Sequence, residues 1–199
     1  MKVSVVIGSR NREGRTASAA RALLDGMSAG GVTAKTFFLP ELKIERCRQC
    51  ESNGWGICRS EGRCIIGDDF DEVERELDGA DAAVFANPVY FGDLSESMRA
   101  FTDRLRRCNF MTMREKGKTK LFKPVIGICM AGGGGGGTDT CGVSLKKVLT
   151  TCGFEVIDTI AVRRQNFDAK LETLRLLGEW FPEYVTSGEW ERVIPRPKE

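Results

Sequence analysis

The sequence predicts a doubly wound α/β fold, one parallel sheet with helices on both faces. Short apolar runs rich in β-branched residues recur five times along the 199 residues, and each alternates with a stretch whose apolar residues fall at helical spacing. Strands and helices in that alternation build a parallel sheet covered on both sides. Turn residues also close the runs where a strand must end: Gly8-Ser9, Pro40, Asn87-Pro88 and the six glycines Gly132 to Gly137.

Val3 to Ile7 is the first strand, and residues 15–28 form an alanine-rich helix with Ala19, Leu23, Leu24 and Met27 on one side. Val32 to Leu39 is the second strand. Residues 43–66 fit neither period and hold four cysteines. Asp68 reads as an N-cap, followed by Phe70, Val73 and Leu77 at helical spacing. Ala82 to Ala86 is the third strand, and residues 94–107 carry Leu94, Met98, Phe101 and Leu105 on one helical face. Val125 to Met130 is the fourth strand, 138–152 the next helix, Glu155 to Val162 the fifth strand and Asp168 to Phe181 the last helix. Right-handed crossovers make the strand order 2-1-3-4-5, a flavodoxin-like sheet. Residues 1–181 then form one domain with an insertion at 43–66. The tail 182–199 is expected to pack irregularly or against a second subunit.

Composition narrows the chemistry. Hydrophobic residues make up 41% and charged residues 29%, enough for a sizeable core and against disorder. Thirty Lys and Arg against 28 Asp and Glu leave a net charge of +2, which selects no partner. Residues 99–123 are locally basic, with Arg99, Arg104, Arg106, Arg107, Arg114, Lys116, Lys118, Lys120 and Lys123 against Asp103 and Glu115. Such a run is a solvated helix face and loop, or a surface attracting an anionic cofactor or protein partner. No aromatic stacking pattern accompanies it, so nucleic acid is not expected. The apolar run after Met1-Lys2 is too short for a secretory segment, and none is long enough to span a membrane. The expected location is the cytoplasm, where the eight cysteines serve as thiols or metal ligands rather than disulfides. Histidine is absent, which excludes Ser-His and Cys-His pairs, a histidine base and histidine metal ligands.

Three loops at the carboxyl ends of strands carry binding signals, at the edge where open α/β sheets take their ligands. Gly8-Ser9-Arg10-Asn11-Arg12-Glu13-Gly14-Arg15-Thr16 joins the first strand to the first helix. Hydroxyls, backbone N–H groups and arginine at a helix N-terminus suit an anion. The spacing is neither G-x-G-x-x-G nor a Walker A loop, which favours a monophosphate; an ordinary polar turn would carry the same residues. Asn87-Pro88-Val89-Tyr90-Phe91-Gly92-Asp93-Leu94-Ser95 places two aromatics where they can wall a planar ring, and Asp93 or Ser95 caps the next helix. The hexaglycine loop offers backbone without side chains, for close approach to a ligand or simply as a mobile connection.

Cys47-x2-Cys50-x7-Cys58-x5-Cys64 puts four soft ligands within eighteen residues. Such a set closes a tetrahedral thiolate site or holds an iron–sulfur cluster. Cys108, Cys129, Cys141 and Cys152 fall on predicted strands and helices and read as small buried hydrophobes, with Cys141 near enough to the glycine loop to be exposed.

Over residues 1–162 the three loops, in this order, resemble the NADPH-dependent FMN reductase superfamily, and more narrowly its iron–sulfur flavoprotein branch. The resemblance implies that Ser9, Arg10 and Thr16, with Asn11, Gly14 and Arg15 of the same loop, hold an FMN phosphate. It implies that Pro88, Val89, Tyr90, Phe91 and Gly92 contact the isoalloxazine, next to Asn87, where the family often has Ser or Thr. Gly132, Gly133 and Gly134 would close the site. The branch has a compact cysteine motif in the place of Cys47, Cys50, Cys58 and Cys64, but its second and third cysteines lie close together, whereas seven residues separate Cys50 from Cys58 here. A [4Fe–4S] cluster is the first expectation, a zinc ion on four thiolates the second, and unligated thiols or disulfides the third. The resemblance also implies homodimers or homotetramers with the flavin near a subunit interface.

The function so implied passes electrons from NAD(P)H or a reduced ferredoxin through FMN to a quinone, a nitro or azo compound, a metal ion, free flavin or oxygen. No side chain is required as acid or base, and Tyr90 is the only phenol near the site. A non-catalytic electron carrier docking through the basic run, and a redox or metal sensor using the four cysteines, are the alternatives of another class.

Overall fold

The strands β1 (Lys2–Ile7), β2 (Thr33–Phe38), β3 (Ala82–Pro88), β4 (Pro124–Ala131) and β5 (Glu155–Arg163) lie side by side in the order β2-β1-β3-β4-β5. All four pairings are parallel, as expected from the sequence. These are the coordinates of a computed structural model, which describes residues 1–116 and 119–192. Lys118 of the basic run and residues 193–199 of the tail lie outside the described residues. β3 and β4 are buried along their whole length, in keeping with sequences that are apolar but for Asn87.

Helices α1 (Arg15–Met27) and α6 (Phe167–Ser187) cover one face of the sheet, and α3 (Phe70–Asp78), α4 (Glu96–Lys116) and α5 (Thr138–Cys152) the other. The short α2 (Ile57–Glu61) lies within the cysteine insertion, where the sequence showed no periodicity. Strand side chains alternate between two cores. Val5, Ile7, Val84 and Ile128 pack toward α1 and α6, while Val6, Phe85 and Val125 pack toward the other three helices. Among the described residues no helix is long and apolar enough to cross a membrane.

Two helices run longer than their sequence signals. α4 continues past residue 107 to Lys116, and its added turns carry residues that meet the cysteine insertion. α6 continues through Pro182, whose carbonyl accepts the Thr186 hydroxyl at 2.9 Å. Trp190 is buried beyond it, packs in a tilted contact on Phe122 with ring centroids 5.4 Å apart and donates Nε1–H to the Val185 carbonyl at 3.1 Å. Residues 182–187 thus continue α6, and Trp190 packs against Phe122 of the same chain.

α1 and α6 touch through backbone. A Cβ on Gly178 would fall 2.1 Å from the Leu23 carbonyl oxygen, and one on Gly26 2.1 Å from that of Arg175. Only glycine permits that approach. Gly178→Ala is expected to lower stability by about 1–3 kcal/mol in urea unfolding, the usual range for overpacking. Unchanged stability would contradict the close crossing.

Glu74 on α3 gives a pH signature. Burial, with Asp71 and Asp78 nearby, pushes its carboxyl from 4.5 up to about 7, against the pull of Lys120. An acid raised in the folded state holds its proton there while the unfolded chain loses it, so stability falls as pH rises from about 4.5 to about 7. Glu74→Gln is expected to remove up to about 3 kcal/mol of that fall, read as urea midpoints across pH. Parallel pH profiles for variant and parent would refute the burial of this carboxyl.

Candidate functional site

The three glycine-marked loops leave β1, β3 and β4 at the carboxyl edge of the sheet. The chain winds one way from β1 and the other way from β3, so the crevice between them is the topological switch point where such sheets bind ligands.

The first loop is anchored from below. The Gly8 N–H bonds to the Ala86 carbonyl at 2.9 Å, and the Ser97 hydroxyl donates to the Gly8 carbonyl at 3.3 Å. A Cβ on Gly8 would lie 2.6 Å from Ser95 Oγ, so the strand end and the start of α4 require a glycine here. α1 opens at Gly14 with no side-chain cap, leaving its first backbone N–H groups available to an anion. Asn11 spends its Oδ1 on the Glu13 N–H at 3.0 Å. Arg12 pairs with Glu41 at 2.5 Å, and Arg15 lies over the Phe167 ring at 5.9 Å. Arg10 is exposed and has no ion-pair partner among the described residues. Ser9 is half-buried and Thr16 buried at the helix start.

The second loop is a two-residue hairpin. Tyr90 and Asp93 exchange backbone hydrogen bonds at 3.2 and 3.0 Å, with Phe91 and Gly92 between them at φ 52° and 74°. Positive φ at both central residues is the hairpin turn that glycine and asparagine favour. A phenylalanine there is strained by about 1–3 kcal/mol, and strain of this kind gathers at functional sites. Phe91 is fully exposed and Tyr90 is 58% exposed, so neither aromatic serves the core. Pro88 is buried and Val89 half-buried beneath them.

Asn87 has a different place from its neighbours. It is wholly buried. Its Oδ1 accepts the Ser95 N–H at 3.0 Å and the Ser95 hydroxyl at 3.1 Å, while its Nδ2 reaches the Pro88 carbonyl at 2.7 Å and Cys141 Sγ at 3.3 Å. Its side chain braces the loop. Ser95 in turn caps α4 through the Met98 N–H at 3.3 Å. Cys141 is buried, not exposed, and sits beside Cys129, whose thiol lowers that of Cys141 while its own is raised.

The glycine loop divides in two. A Cβ on Gly135 would lie 2.5 Å from Gln165 Oε1, and one on Gly137 2.5 Å from the Gly92 Cα. Those two are packing glycines. Gly132, Gly133, Gly134 and Gly136 face open space and present bare backbone. Thr140 Oγ1 donates to the Gly92 carbonyl at 2.7 Å and locks the second loop to the third.

The cysteine insertion stands on α4. Arg104, with its side chain only 1% exposed, binds Asp68 through two nitrogens at 2.7 and 2.9 Å and donates to the Glu45 and Ile66 carbonyls at 3.1 and 3.2 Å. Asp68 also accepts the Glu45 and Phe70 N–H groups at 2.8 and 3.1 Å. Burial raises the Asp68 carboxyl, but Arg104 and these N–H groups outweigh it and hold it below the ordinary range. Arg107 donates to the Gly54 carbonyl at 2.6 Å and lies over the Trp55 ring at 5.0 Å. Cys47, Cys50, Cys58 and Cys64 all line one small cavity of about 20 Å³, with Cys108, Arg104 and Arg107 of α4 on its wall. Among the described residues no group of three or more Cys, Asp or Glu is gathered tightly enough to hold a metal ion. A cavity that size has room for about one water, so a cluster or metal on these four thiols requires the segment to rearrange. Gln49, between Cys47 and Cys50, has φ 51° and is, with Phe91, one of two strained non-glycine residues among those described.

A groove of about 770 Å³ is lined by residues of both places, Arg10 of the first loop and Cys47 of the insertion among them, together with Leu42, Ile44, Arg99 and Arg106. Sequence reading named Ser95 as a cap of α4 but missed Thr140, Arg104, Arg107 and Cys108 as parts of this architecture. Only their spatial neighbours reveal them.

A parallel 2-1-3-4-5 sheet with glycine-rich loops at its switch point defines a flavodoxin-like protein. The chain belongs to the NADPH-dependent FMN reductase family, which it matches over residues 1–168. It is 32% identical over 106 residues to iron-sulfur flavoprotein MJ1083 of Methanocaldococcus jannaschii, covering 53% of this chain and 52% of that protein. It is 30% identical over 120 residues to an iron-sulfur flavoprotein of Methanosarcina thermophila, covering 59% and 60%. The chain thus spans about half the length of these curated relatives. The apo structure of the NADH:FMN oxidoreductase EMOB shares the fold, with a TM-score of 0.64 at 16% identity over 99% of this chain and 96% of that one.

Two substitutions separate brace from wall. Asn87→Ala is expected to lower stability by about 1–3 kcal/mol, because the Ser95 hydrogen bonds lose their acceptor. Phe91→Gly is expected to leave thermal stability unchanged or higher, since it removes strain and no core contact. A Phe91→Gly chain that melts well below its parent would contradict the exposed, strained placement.

Proposed function

We propose that this chain binds FMN at the switch-point crevice and works as an NAD(P)H-dependent oxidoreductase, with an iron–sulfur cluster on Cys47, Cys50, Cys58 and Cys64. The observation that carries the flavin reading is the convergence at one crevice of three elements. These are the uncapped start of α1, the open backbone of Gly132, Gly133, Gly134 and Gly136, and the exposed Tyr90–Phe91 hairpin. Family membership supports it.

In this reading the N–H groups of α1 with Ser9, Arg10 and Thr16 bind the phosphate. The open glycines let backbone approach the ring, and Pro88, Val89, Tyr90, Phe91 and Gly92 wall its other side. Asn87 acts from beneath, by positioning that wall. FMN, when bound, supplies exchange between two-electron and one-electron chemistry. The groove lined by Arg10 and Cys47 is the space open to a nicotinamide donor or a small-molecule acceptor. Pairing into homodimers or homotetramers would cover Tyr90, Phe91 and the exposed Val143 at this edge.

The donor type of the cysteine pocket, four thiols, suits a cluster, while their spacing in the described structure would have to change to hold one. Four thiols share one cavity, and two buried arginine nitrogens on its wall lack a hydrogen-bond acceptor. The names of the relatives point the same way.

Arg10→Ala with Thr16→Ala is expected to weaken FMN binding by about tenfold or more, since charge-assisted hydrogen bonds to phosphate are each worth about 1.5–3 kcal/mol. Flavin fluorescence titration reads the affinity, and anaerobic reduction by NADH or NADPH reads the activity. Unchanged affinity would remove the first loop from the site, and failure of the parent chain to bind FMN would overturn the reading.

A further inference from the structure

Four arginines line the groove of about 770 Å³: Arg10, Arg46, Arg99 and Arg106. Against them stand two carboxylates, Glu96 and Asp103, so positive charge is in excess. A cleft lined mainly by one sign of charge concentrates ligands of the other. The arginines are not equally committed. Arg10 and Arg46 are exposed and have no hydrogen-bond or ion-pair partner among the described residues. Arg99 gives Nη2 to Asp93 at 2.5 Å, and Arg106 gives Nε and Nη2 to Asp103. Glu96 stands in the first turn of α4, where the helix dipole compensates its charge. The floor of the groove is aliphatic. Leu39 is buried, and Leu42, Ile44 and Val148 pack partly buried against the core. An apolar floor with a few charged groups, in a groove of this volume, fits a small organic molecule. Guanidinium forks match the geometry of a carboxylate. No glycine or aromatic residue is among the described residues that line the groove. It therefore offers neither the bare backbone that cradles a diphosphate nor a ring on which an adenine stacks. Little of it depends on the cysteine run. Arg10 lies on the first loop, Arg99 and Arg106 on α4, and Val148 on α5. Arg46 follows Glu45, whose N–H and carbonyl are held by Asp68 and Arg104. Ser97 on the same wall donates to the Gly8 carbonyl at 3.3 Å, so the groove borders the flavin crevice.

We propose that this groove is the acceptor site of the oxidoreductase and selects aromatic carboxylates that carry the reducible group. The inference rests on the flavin reading above. The ring lies on the aliphatic floor. Arg46, which no acidic side chain neutralises, makes the main contact with the carboxylate, and Arg99 and Arg106 add to the field that attracts it. For a nitro acceptor the step is a two-electron reduction. The nitro group takes up two electrons and two protons and leaves as a nitroso group and water. NAD(P)H supplies both electrons and one proton as hydride, and water supplies the second proton.

The probes are para-nitrobenzoate and its neutral methyl ester, which share the ring and the nitro group. Equilibrium dialysis measures the binding of each to the whole chain loaded with oxidised FMN and given no donor. KM and kcat for each are then measured in anaerobic turnover with NADPH. The parent is compared with Arg46→Met, Arg46→Lys and Arg106→Met. The parent is expected to bind the carboxylate about tenfold or more tighter than the ester, as charge-assisted hydrogen bonds allow, with the gap narrowing as salt is raised. Arg46→Met is expected to close most of that gap and Arg46→Lys to keep part of it. Arg106→Met is expected to weaken the carboxylate by about threefold, the scale of an exposed charge. Binding of the ester stays at the parent level, and the loss for the carboxylate appears in KM with kcat held. Equal affinity of the FMN-loaded parent for the two probes would overturn the inference and leave the flavin reading standing. An unchanged preference in both methionine variants would overturn it as well. So would a rise in the KM of NADPH in place of that of para-nitrobenzoate, which would give the groove to the donor. A parent chain that binds no FMN would remove the flavin reading and the acceptor site with it.

Discussion

The buried pair of Arg104 and Asp68 is the constraint on which the arrangement of both sites depends. Its Coulomb attraction is largely offset by the loss of hydration, so its value as a net stabiliser is small. Removing one member is another matter, because the remaining charge would stay buried at about 3–5 kcal/mol. What the pair determines is geometry. Asp68 accepts the Glu45 N–H, and Arg104 donates to the carbonyls of Glu45 and Ile66. The entrance and exit of the cysteine insertion are thereby drawn to one guanidinium, and an aperiodic segment with little core of its own gains a fixed base.

α4 carries that base to the sheet edge. Its start is tied to the crevice by Ser95 on Asn87 and by Ser97 on Gly8. Its later turns hold Arg104, Arg107, Cys108 and Phe110, with Phe110 packed on Trp55 at 5.0 Å between ring centroids. From Ser97 to Cys108 the helix rises roughly 16 Å, which sets the scale of separation between the two sites along it. The crevice itself is built by subtraction. Gly8 admits Ser95, Gly92 and Gly137 admit each other, and the other glycines of the third loop leave backbone facing open space. Strain is kept at Phe91 and Gln49, one in each candidate site.

Much of this was legible from the residues. Strand order followed from alternation and handedness, and the ligand edge from where the glycine loops fell. β3 and β4 announced themselves because strands buried on both faces need largely apolar sequence. The misses have physical causes. Pro182 looked like a stop, yet α6 runs through it because packing of α6 on α1 and of Trp190 on Phe122 outweighs local propensity. Residues 108–116 lacked a clear apolar stripe, since part of that face meets the cysteine insertion and not the sheet. Asn87 sat inside a ligand-like loop, and only its burial and its two contacts with Ser95 show it to be a brace. The basic run at 99–123 proved to be several things. Arg104 is an internal clamp, Lys123 binds the Leu77, Asp78 and Ala80 carbonyls, and Arg99 pairs with Asp93. The clustering of four cysteines around one cavity with two arginines needed the third dimension altogether.

The most direct test of the account is the prosthetic content of the chain as purified without oxygen. Visible spectroscopy with FMN, iron, sulfide and zinc measured per chain on one sample decides it. The account predicts bound or readily bound FMN together with matched iron and sulfide, about four of each for a cubane cluster. Flavin with zinc or with no metal would contradict the cluster, and no flavin even after added FMN would contradict the central claim.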